Sequence, residues 1–326
     1  QVVDRALAGE NPVNGYSAMK QLVEGVLAGV ILCLAIAALY AQLIRTVRKE
    51  SDMKKITSKG CISLIPEIAV KKREKSKKQQ LLLTNKRVDW GFKQSVQAAQ
   101  LRIEKQMEQE HKQVLLVSST LPQEGKSMAA VNLALAFMQH EKKTVLIDGD
   151  LRKPSVAEML GMEEQKGLAE YLKGNAKVKE VLQKKGDLTV IQGGKVHGNI
   201  SSLMDESRME ELMTFLKSEF DYVIIDTPPA YLFSDAAILA GYADRVLYVV
   251  RHDMAEIPQI EKGMESFIQE DKLLGYLINR SQKGFASYGK YGYGKYGYGK
   301  YGYGKYGKYQ RYVDVKEDDM DTEDSL

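Results

Sequence analysis

Six apolar runs of strand length constrain this chain more than any other feature: VLLVSST from Val114, TVLIDGD from Thr144, LTVIQGG from Leu188, YVIIDTP from Tyr222, RVLYVVR from Arg245 and LLGYLIN from Leu273. They are nearly continuous rather than alternating apolar and polar, so the strands they form must be covered on both faces. Longer amphipathic stretches, such as Met204 to Phe220, lie between them. Doubly buried strands joined by helix-length connections predict an α/β fold, a mostly parallel sheet with helices on both faces. In such folds ligands gather at the carboxyl ends of the strands.

The first run leads into Thr120-Leu121-Pro122-Gln123-Glu124-Gly125-Lys126-Ser127, which sets Gly-Lys-Ser between a strand and a helix. This closes a phosphate-binding loop, with Thr120 in the place of its first glycine. In a P-loop NTPase fold, N–H groups at the helix start meet the phosphates, Lys126 reaches the β- and γ-oxygens, and the Ser127 hydroxyl ligates Mg²⁺. Gln123, Glu124, Gly125, Lys126, Ser127 and Met128 are therefore the expected nucleotide contacts. Two further runs end in carboxylates: Asp148 and Asp150 in VLIDGDLR, and Asp226 in VIIDTP. One such aspartate is explained as the cap of a following turn. Three beside a phosphate loop predict ATP binding with Mg²⁺, an ion that keeps most of its waters near nucleotide phosphates, and Asp150 and Asp226 suit its binding.

Upstream, Leu22 to Ile44 carries no charge from Gly25 to Ala41, and about 20 apolar residues suffice to span a bilayer. Arg45, Arg48, Lys49, Lys54 and Lys55 follow the run whereas only Lys20 stands close before it. The positive-inside bias then places the C-terminal side in the cytoplasm, at the inner (cytoplasmic) membrane. Residues 1–21 show neither an initiating Met nor a basic leader and are expected to be the extracytoplasmic remnant of a longer chain. CISLIP, from Cys61 to Pro66, predicts a strand closed by proline, and VKKREKSKKQQ from Val70 reads as a solvated linker. Beside anionic membrane lipid such cations gain about 1 kcal/mol each. The expected organisation is residues 1–21, a transmembrane helix 22–44, a basic juxtamembrane segment and linker 45–90, a P-loop domain 91–282, and a flexible tail 283–326. Two cysteines, Cys33 and Cys61, and four scattered histidines leave neither a disulfide framework nor a His/Cys metal centre.

In the tail the unit YGYGK repeats three times from Tyr291 to Lys305, and glycine at every second or third position predicts flexibility. Ten tyrosines lie there: Tyr288, Tyr291, Tyr293, Tyr296, Tyr298, Tyr301, Tyr303, Tyr306, Tyr309 and Tyr312. Taken alone, interleaved lysine and tyrosine would fit adhesion or single-stranded nucleic acid. Attached to an ATP site they read as phosphoacceptors, and no nucleic-acid partner is expected. Residues 283–312 hold seven Lys or Arg and no acid. At about −1.5 to −2 per phosphate, roughly four modifications would cancel that charge.

PQEGKS, LIDGDLRKP and VIIDTPP resemble the Walker A, A′ and B motifs of the bacterial tyrosine kinases of capsule and exopolysaccharide assembly. Gly167-Leu168 with Leu172 and Gly174, then Asp205-Glu206-Ser207-Arg208-Met209, also resemble that family, as does a C-terminal tyrosine cluster. The membrane segment with CISLIP is similar to the end of the polysaccharide co-polymerase module to which these kinases are fused or paired. The resemblance implies a protein-tyrosine autokinase that acts on its tail in trans and regulates polysaccharide polymerisation and export. It also implies that Asp148 takes or orients the phenolic proton, that Lys126 neutralises the γ-phosphate, that Ser127, Asp150 and Asp226 serve Mg²⁺, and that Asn279 contacts adenine. The implied partners are neighbouring copies in a ring, the polymerase and export machinery, and a cognate phosphotyrosine phosphatase. Two positions depart from the family pattern. Gln123 stands where glycine is common, and Gln94, Gln97 and Gln100 replace a Glu-x-x-Arg-x-x-Arg assembly motif, so ring formation through ion pairs is not expected. Leu121 stands where partitioning and positioning ATPases of the same fold carry a signature lysine. A non-catalytic nucleotide-sensing regulator of export is the non-enzyme alternative.

Overall fold

The computed structural model describes residues 18–43, 45–68, 81–86, 88–194 and 207–281. In chain order the elements begin with α1 (Ala18–Leu43), α2 (Glu50–Met53), β1 (Cys61–Pro66), α3 (Trp90–Gln109), β2 (Val114–Ser119), α4 (Lys126–Gln139) and β3 (Thr144–Asp148). Next come α5 (Val156–Leu160), α6 (Leu168–Leu172), α7 (Val178–Val181), β4 (Gln183–Lys185) and β5 (Leu188–Ile191). The last are α8 (Ser207–Glu219), β6 (Tyr222–Asp226), α9 (Asp235–Ala240), β7 (Arg245–Arg251), α10 (Ile257–Gln269) and β8 (Leu273–Ser281).

The eight strands of the described residues join one sheet in the order β1-β8-β7-β2-β6-β3-β5-β4. Every pairing is parallel except that of β4 with β5. The six apolar runs supply β2, β3, β5, β6, β7 and β8. Side chains of a strand alternate between faces, and the core divides accordingly. Val114 and Leu116 join one apolar layer with α8, α9 and α10, while Leu115 and Val117 join the other with α3 and α4.

Within residues 45–90, expected to be a basic juxtamembrane segment and linker containing one strand, the described residues pack onto the domain. Val47 and Met53 are fully buried, β1 pairs in parallel with β8, and Leu82 and Leu83 enter the α3/α4 layer. Asn132 on α4 ties that last segment down, accepting the Leu83 N–H at 2.8 Å and donating to the Leu81 carbonyl at 3.0 Å. Directly after α1, Thr46 forms an antiparallel bridge with Glu256, and Asp253 binds Thr46 Oγ1 at 2.5 Å and Arg48 Nε at 2.8 Å. A few apolar side chains in a charged background suffice for docking because each buries against a preformed core. The basic run 70–80 lies outside the described residues. Helix α1 is long and apolar enough over Met19–Leu39 to cross a membrane, and it buries none of that surface against the protein.

Candidate active site

Strands β2, β6 and β3 are neighbours, and their register sets Val117 beside Asp226 and Asp226 beside Asp148. The phosphate loop leaves β2, Asp226 ends β6, and Asp148 ends β3 with Asp150 two residues on. Three distant motifs therefore meet at the carboxyl ends of three adjacent interior strands.

The loop turns through two left-handed residues, Gln123 at φ 66° and Gly125 at φ 98°. A side chain costs roughly 1–2 kcal/mol in that region, which glycine avoids. This is the physical reason a glycine suits position 123, and the chain makes the same turn with glutamine. Gly125 has a second constraint, since a Cβ there would collide with Asn279 Nδ2. Gly125 caps α4, whose alanine-rich sequence KSMAAVNLALAFMQ propagates the helix.

Lys126 is buried, with Nζ 2.7 Å from Asp150 Oδ2, 3.1 Å from Ser127 Oγ and 3.9 Å from Asp226 Oδ1. Burial pulls its pKa down, but the surrounding carboxylates, Asp226 foremost, outweigh this and hold it above the usual value. Asp148 is fully buried; Oδ2 accepts the N–H groups of Ser155 at 2.8 Å and Val156 at 3.0 Å, while Oδ1 has no hydrogen-bond partner. Burial, then the charge of Asp226, pushes the Asp148 carboxyl up to about 7. Asp226 is also fully buried and neither of its oxygens is hydrogen-bonded, although Ser127 and the Thr227 amide lie close. Burial raises it to about 6 against the opposing pull of Lys126. Asp150 divides its oxygens between Lys126 and the Lys153 N–H, the latter at 3.1 Å.

These donors fit a magnesium ion. Among the described residues no three His, Cys, Asp or Glu side chains form a ready-made cage, and Mg²⁺ requires none, since it takes one or two carboxylates together with phosphate oxygens and water. Asp226, with two unbonded buried oxygens, and the Ser127 hydroxyl are the residues that could hold it.

The other sequence-derived candidates divide. The Glu124 carboxylate does not face the nucleotide side: it turns back on the loop, accepting the N–H groups of Leu121 at 2.5 Å and Arg251 at 3.2 Å, and burial raises it to about 7. Met128 and Asn279 line a mostly apolar cleft with Ile65, Phe92, Val96 and Leu277 beside Gly125. The Asn279 side chain is engaged with protein, donating Nδ2 to the Glu124 carbonyl at 2.7 Å and accepting the Arg280 N–H at 2.9 Å. On α3, Gln94 Nε2 donates to Gln97 Oε1 at 3.1 Å, whereas Gln100 is buried and donates to Glu104 at 2.6 Å. Only two of the three glutamines therefore reach the surface. The ten tail tyrosines lie outside the described residues.

Two arginines at the site were not anticipated. Arg152 makes a bidentate pair with buried Asp235, at 2.6 and 3.0 Å, and its guanidinium lies 4.2 Å from the Phe233 ring centre, tying the strand β3 loop to the segment after β6. Arg251, at the end of β7, donates Nη1 to the Gln123 carbonyl at 3.3 Å. The LIDGDLR motif placed Arg152 next to the site; nothing local in the sequence marked Arg251.

A family model described as ParA, NUBPL iron-transfer P-loop NTPase, matches residues 110–240. The chain is 34% identical over 183 residues to the tyrosine-protein kinase CpsD of Streptococcus agalactiae, covering 55% of this chain and 80% of that protein. It is 35% identical over 182 residues to the tyrosine-protein kinase YwqD of Bacillus subtilis, covering 55% and 77% respectively. The kinase domain of the Escherichia coli tyrosine kinase ETK superposes with a TM-score of 0.65 at 23% identity, over 78% of this chain and all of that domain. That superposition establishes the fold.

Proposed function

This chain belongs to the bacterial tyrosine-protein kinases, and on that premise we propose that it transfers the γ-phosphoryl group of ATP to tyrosines of its own tail, Tyr288 to Tyr312, on neighbouring copies. The observation that carries this reading is the meeting of Lys126, Ser127, Asp148, Asp150 and Asp226 at the ends of three adjacent strands, with buried carboxylate oxygens left unbonded.

The acceptor phenol oxygen forms a bond to the γ-phosphorus, the bond from that phosphorus to the β,γ-bridging oxygen breaks, and ADP leaves with that oxygen. The phenolic proton passes to Asp148, whose Oδ1 has no protein partner and whose raised pKa suits proton acceptance near neutrality. Lys126 neutralises charge on the β- and γ-oxygens, and the loop amides bind the same phosphates. Magnesium, held by Ser127 and Asp226 with Asp150 nearby, would supply further charge neutralisation. Positioning and electrostatics carry this reaction, because phosphoryl transfer requires little covalent participation by the protein.

The P-loop domain would lie on the cytoplasmic side of the inner membrane, tethered by residues 22–44, with basic residues 45–55 against anionic lipid. Twenty-five residues run from Tyr288 to Tyr312, and a chain of that length obeying coil statistics would span roughly 25–30 Å, long enough to reach a neighbour's site. Phosphorylation would turn it from cation to anion, loosening assembly and regulating capsule or exopolysaccharide export, with a phosphatase resetting it.

The test is incubation of the full chain with Mg-ATP and mass-spectrometric mapping of phosphotyrosine, alongside Asp148→Asn. Tail phosphotyrosine in the parent and at least a hundredfold less in the variant is expected; an unmodified tail in the parent refutes the reading. Mixing a Lys126→Met chain with an active chain lacking residues 283–326 tests transfer between copies, since only the inactive chain then carries acceptors.

A further inference from the structure

The phosphate loop is held from behind by side chains that take no part in the transfer step. Arg251 Nη1 donates to the Gln123 carbonyl at 3.3 Å, and Asn279 Nδ2 donates to the Glu124 carbonyl at 2.7 Å. Arg251 extends from the end of β7 and Asn279 from β8, so both carbonyls are drawn toward that side of the sheet. In a planar trans peptide the N–H points opposite to the C=O, and the described residues contain no cis peptide. The Glu124 and Gly125 N–H groups must therefore point away from β7 and β8. The sheet order places β6 and β3 in that direction, where Lys126 meets Asp150 and Asp226. Two carbonyls fixed on one side thus aim two donors at the place where the phosphates are expected.

The same contacts bear on Gln123. Its left-handed backbone is unfavourable for a residue with a side chain, and a loop free to relax would rotate that peptide and turn its donor aside. The Arg251 side chain holds the Gln123 carbonyl, while the Arg251 N–H binds the buried Glu124 carboxylate, which also holds the Leu121 N–H. One residue on β7 therefore grips the loop at two successive positions.

We propose that Arg251 is a positioning residue of this site: together with Asn279 it orients the Glu124 and Gly125 amides onto the nucleotide phosphates, and it offsets the strain of a non-glycine residue at 123. The proposal rests on the nucleotide-binding reading given above. Arg251→Met removes the side-chain contact and keeps the backbone one, and Gln123→Gly removes the strain that the contact offsets.

The experiment is calorimetric titration of ADP with Mg²⁺ into the detergent-solubilised full chain. Arg251→Met should weaken ADP binding about tenfold, the effect of losing one charge-assisted hydrogen bond. Adding Gln123→Gly to that variant should recover the affinity to within about threefold of the parent, a rescue that a general loss of folding would not give. Arg251→Leu, which likewise lacks a side-chain donor, carries the same comparison should the methionine variant fold poorly. Unchanged ADP affinity in the Arg251 variant, or a double variant as weak as the single, overturns the proposal. A parent chain that binds no ADP overturns the nucleotide reading itself, which separates the two failures.

Discussion

Replacing Asp226 by asparagine should make the nucleotide-free protein more stable while abolishing phosphoryl transfer. The Asp226 carboxylate is fully buried, accepts no hydrogen bond, and is raised by burial from 3.8 to about 6 even with Lys126 nearby. At about 1.4 kcal/mol for each pH unit, that displacement corresponds to roughly 3 kcal/mol of lost stability once the group is ionised in both states. The sign follows from proton binding. Below about pH 4 the carboxyl is protonated both folded and unfolded, and nothing is lost. As pH rises through 6 the unfolded chain ionises first, so the folded state loses ground until Asp226 itself ionises, after which the deficit is constant. Asp226→Asn removes this deficit, so the gain should be near zero at pH 4 and complete above pH 7. For a domain of this size about 3 kcal/mol amounts to about 6–12 °C in unfolding temperature. Thermal unfolding by circular dichroism with EDTA and no nucleotide, at pH 5 to 8, reads the difference directly, and phosphotyrosine formation reads the loss of activity. An asparagine variant less stable than the parent at pH 8 would refute the reasoning, because the attraction between Asp226 and Lys126, 3.9 Å apart, would then outweigh the cost of burying the carboxylate.

Gly149→Ala should cut kinase activity at least tenfold and lower stability by about 1–3 kcal/mol, measured by urea unfolding, because its Cβ would lie 2.7 Å from the Asp226 carbonyl that the Gly149 N–H binds. Arg152→Met leaves Asp235 buried without its bidentate partner and should cost about 3–5 kcal/mol in the same assay. Met53→Ala, in the basic segment after α1, should cost about 2–5 kcal/mol, since Met53 is fully buried in the apolar layer; a neutral effect would place residues 50–57 outside the cooperative fold.

Much of this architecture is legible in the sequence because it depends on local patterns. Continuous apolar runs announce six of the eight strands, and CISLIP announces a seventh with its proline at the closing end. Strand β4 escapes notice because Gln183–Lys185 is three residues long, polar, and antiparallel at the sheet edge, where only one neighbour need be satisfied. The docking of residues 45–57 is hidden for another reason: Val47 and Met53 stand apart among charges, and their burial depends on α10 and the turn after β7, some two hundred residues away. At the candidate site, the loop motif marks Lys126 and Ser127 and the strand-end pattern marks the three aspartates. The direction a side chain takes is less accessible. Glu124 lies within the loop motif yet faces its own backbone, and Gln100 continues the three-residue spacing of Gln94 and Gln97 yet turns inward. Arg251 and Gln123 are 128 residues apart, a pairing that no local pattern encodes.

The arrangement of the candidate site is a consequence of strand register as much as of motif. Asp148 and Asp226 are direct partners across β3 and β6, and Val117 of β2 partners Asp226 from the other side. Side chains alternate with a period of two, so a slip of one residue in β6 would move its apolar set to the opposite face and carry Asp226 away from Lys126. Close packing opposes that slip, since Val223 and Ile225 fit one layer and Ile224 the other, and exchanging them would overpack one layer and leave a void in its neighbour. Burial alone does not oppose it, because β6 is covered on both faces and all three side chains would remain in an apolar layer; the opposition comes from misfit, about 1–3 kcal/mol for each side chain forced into a layer packed for another. The apolar pattern that predicts the sheet therefore also holds a carboxylate where isolated physics would not leave it.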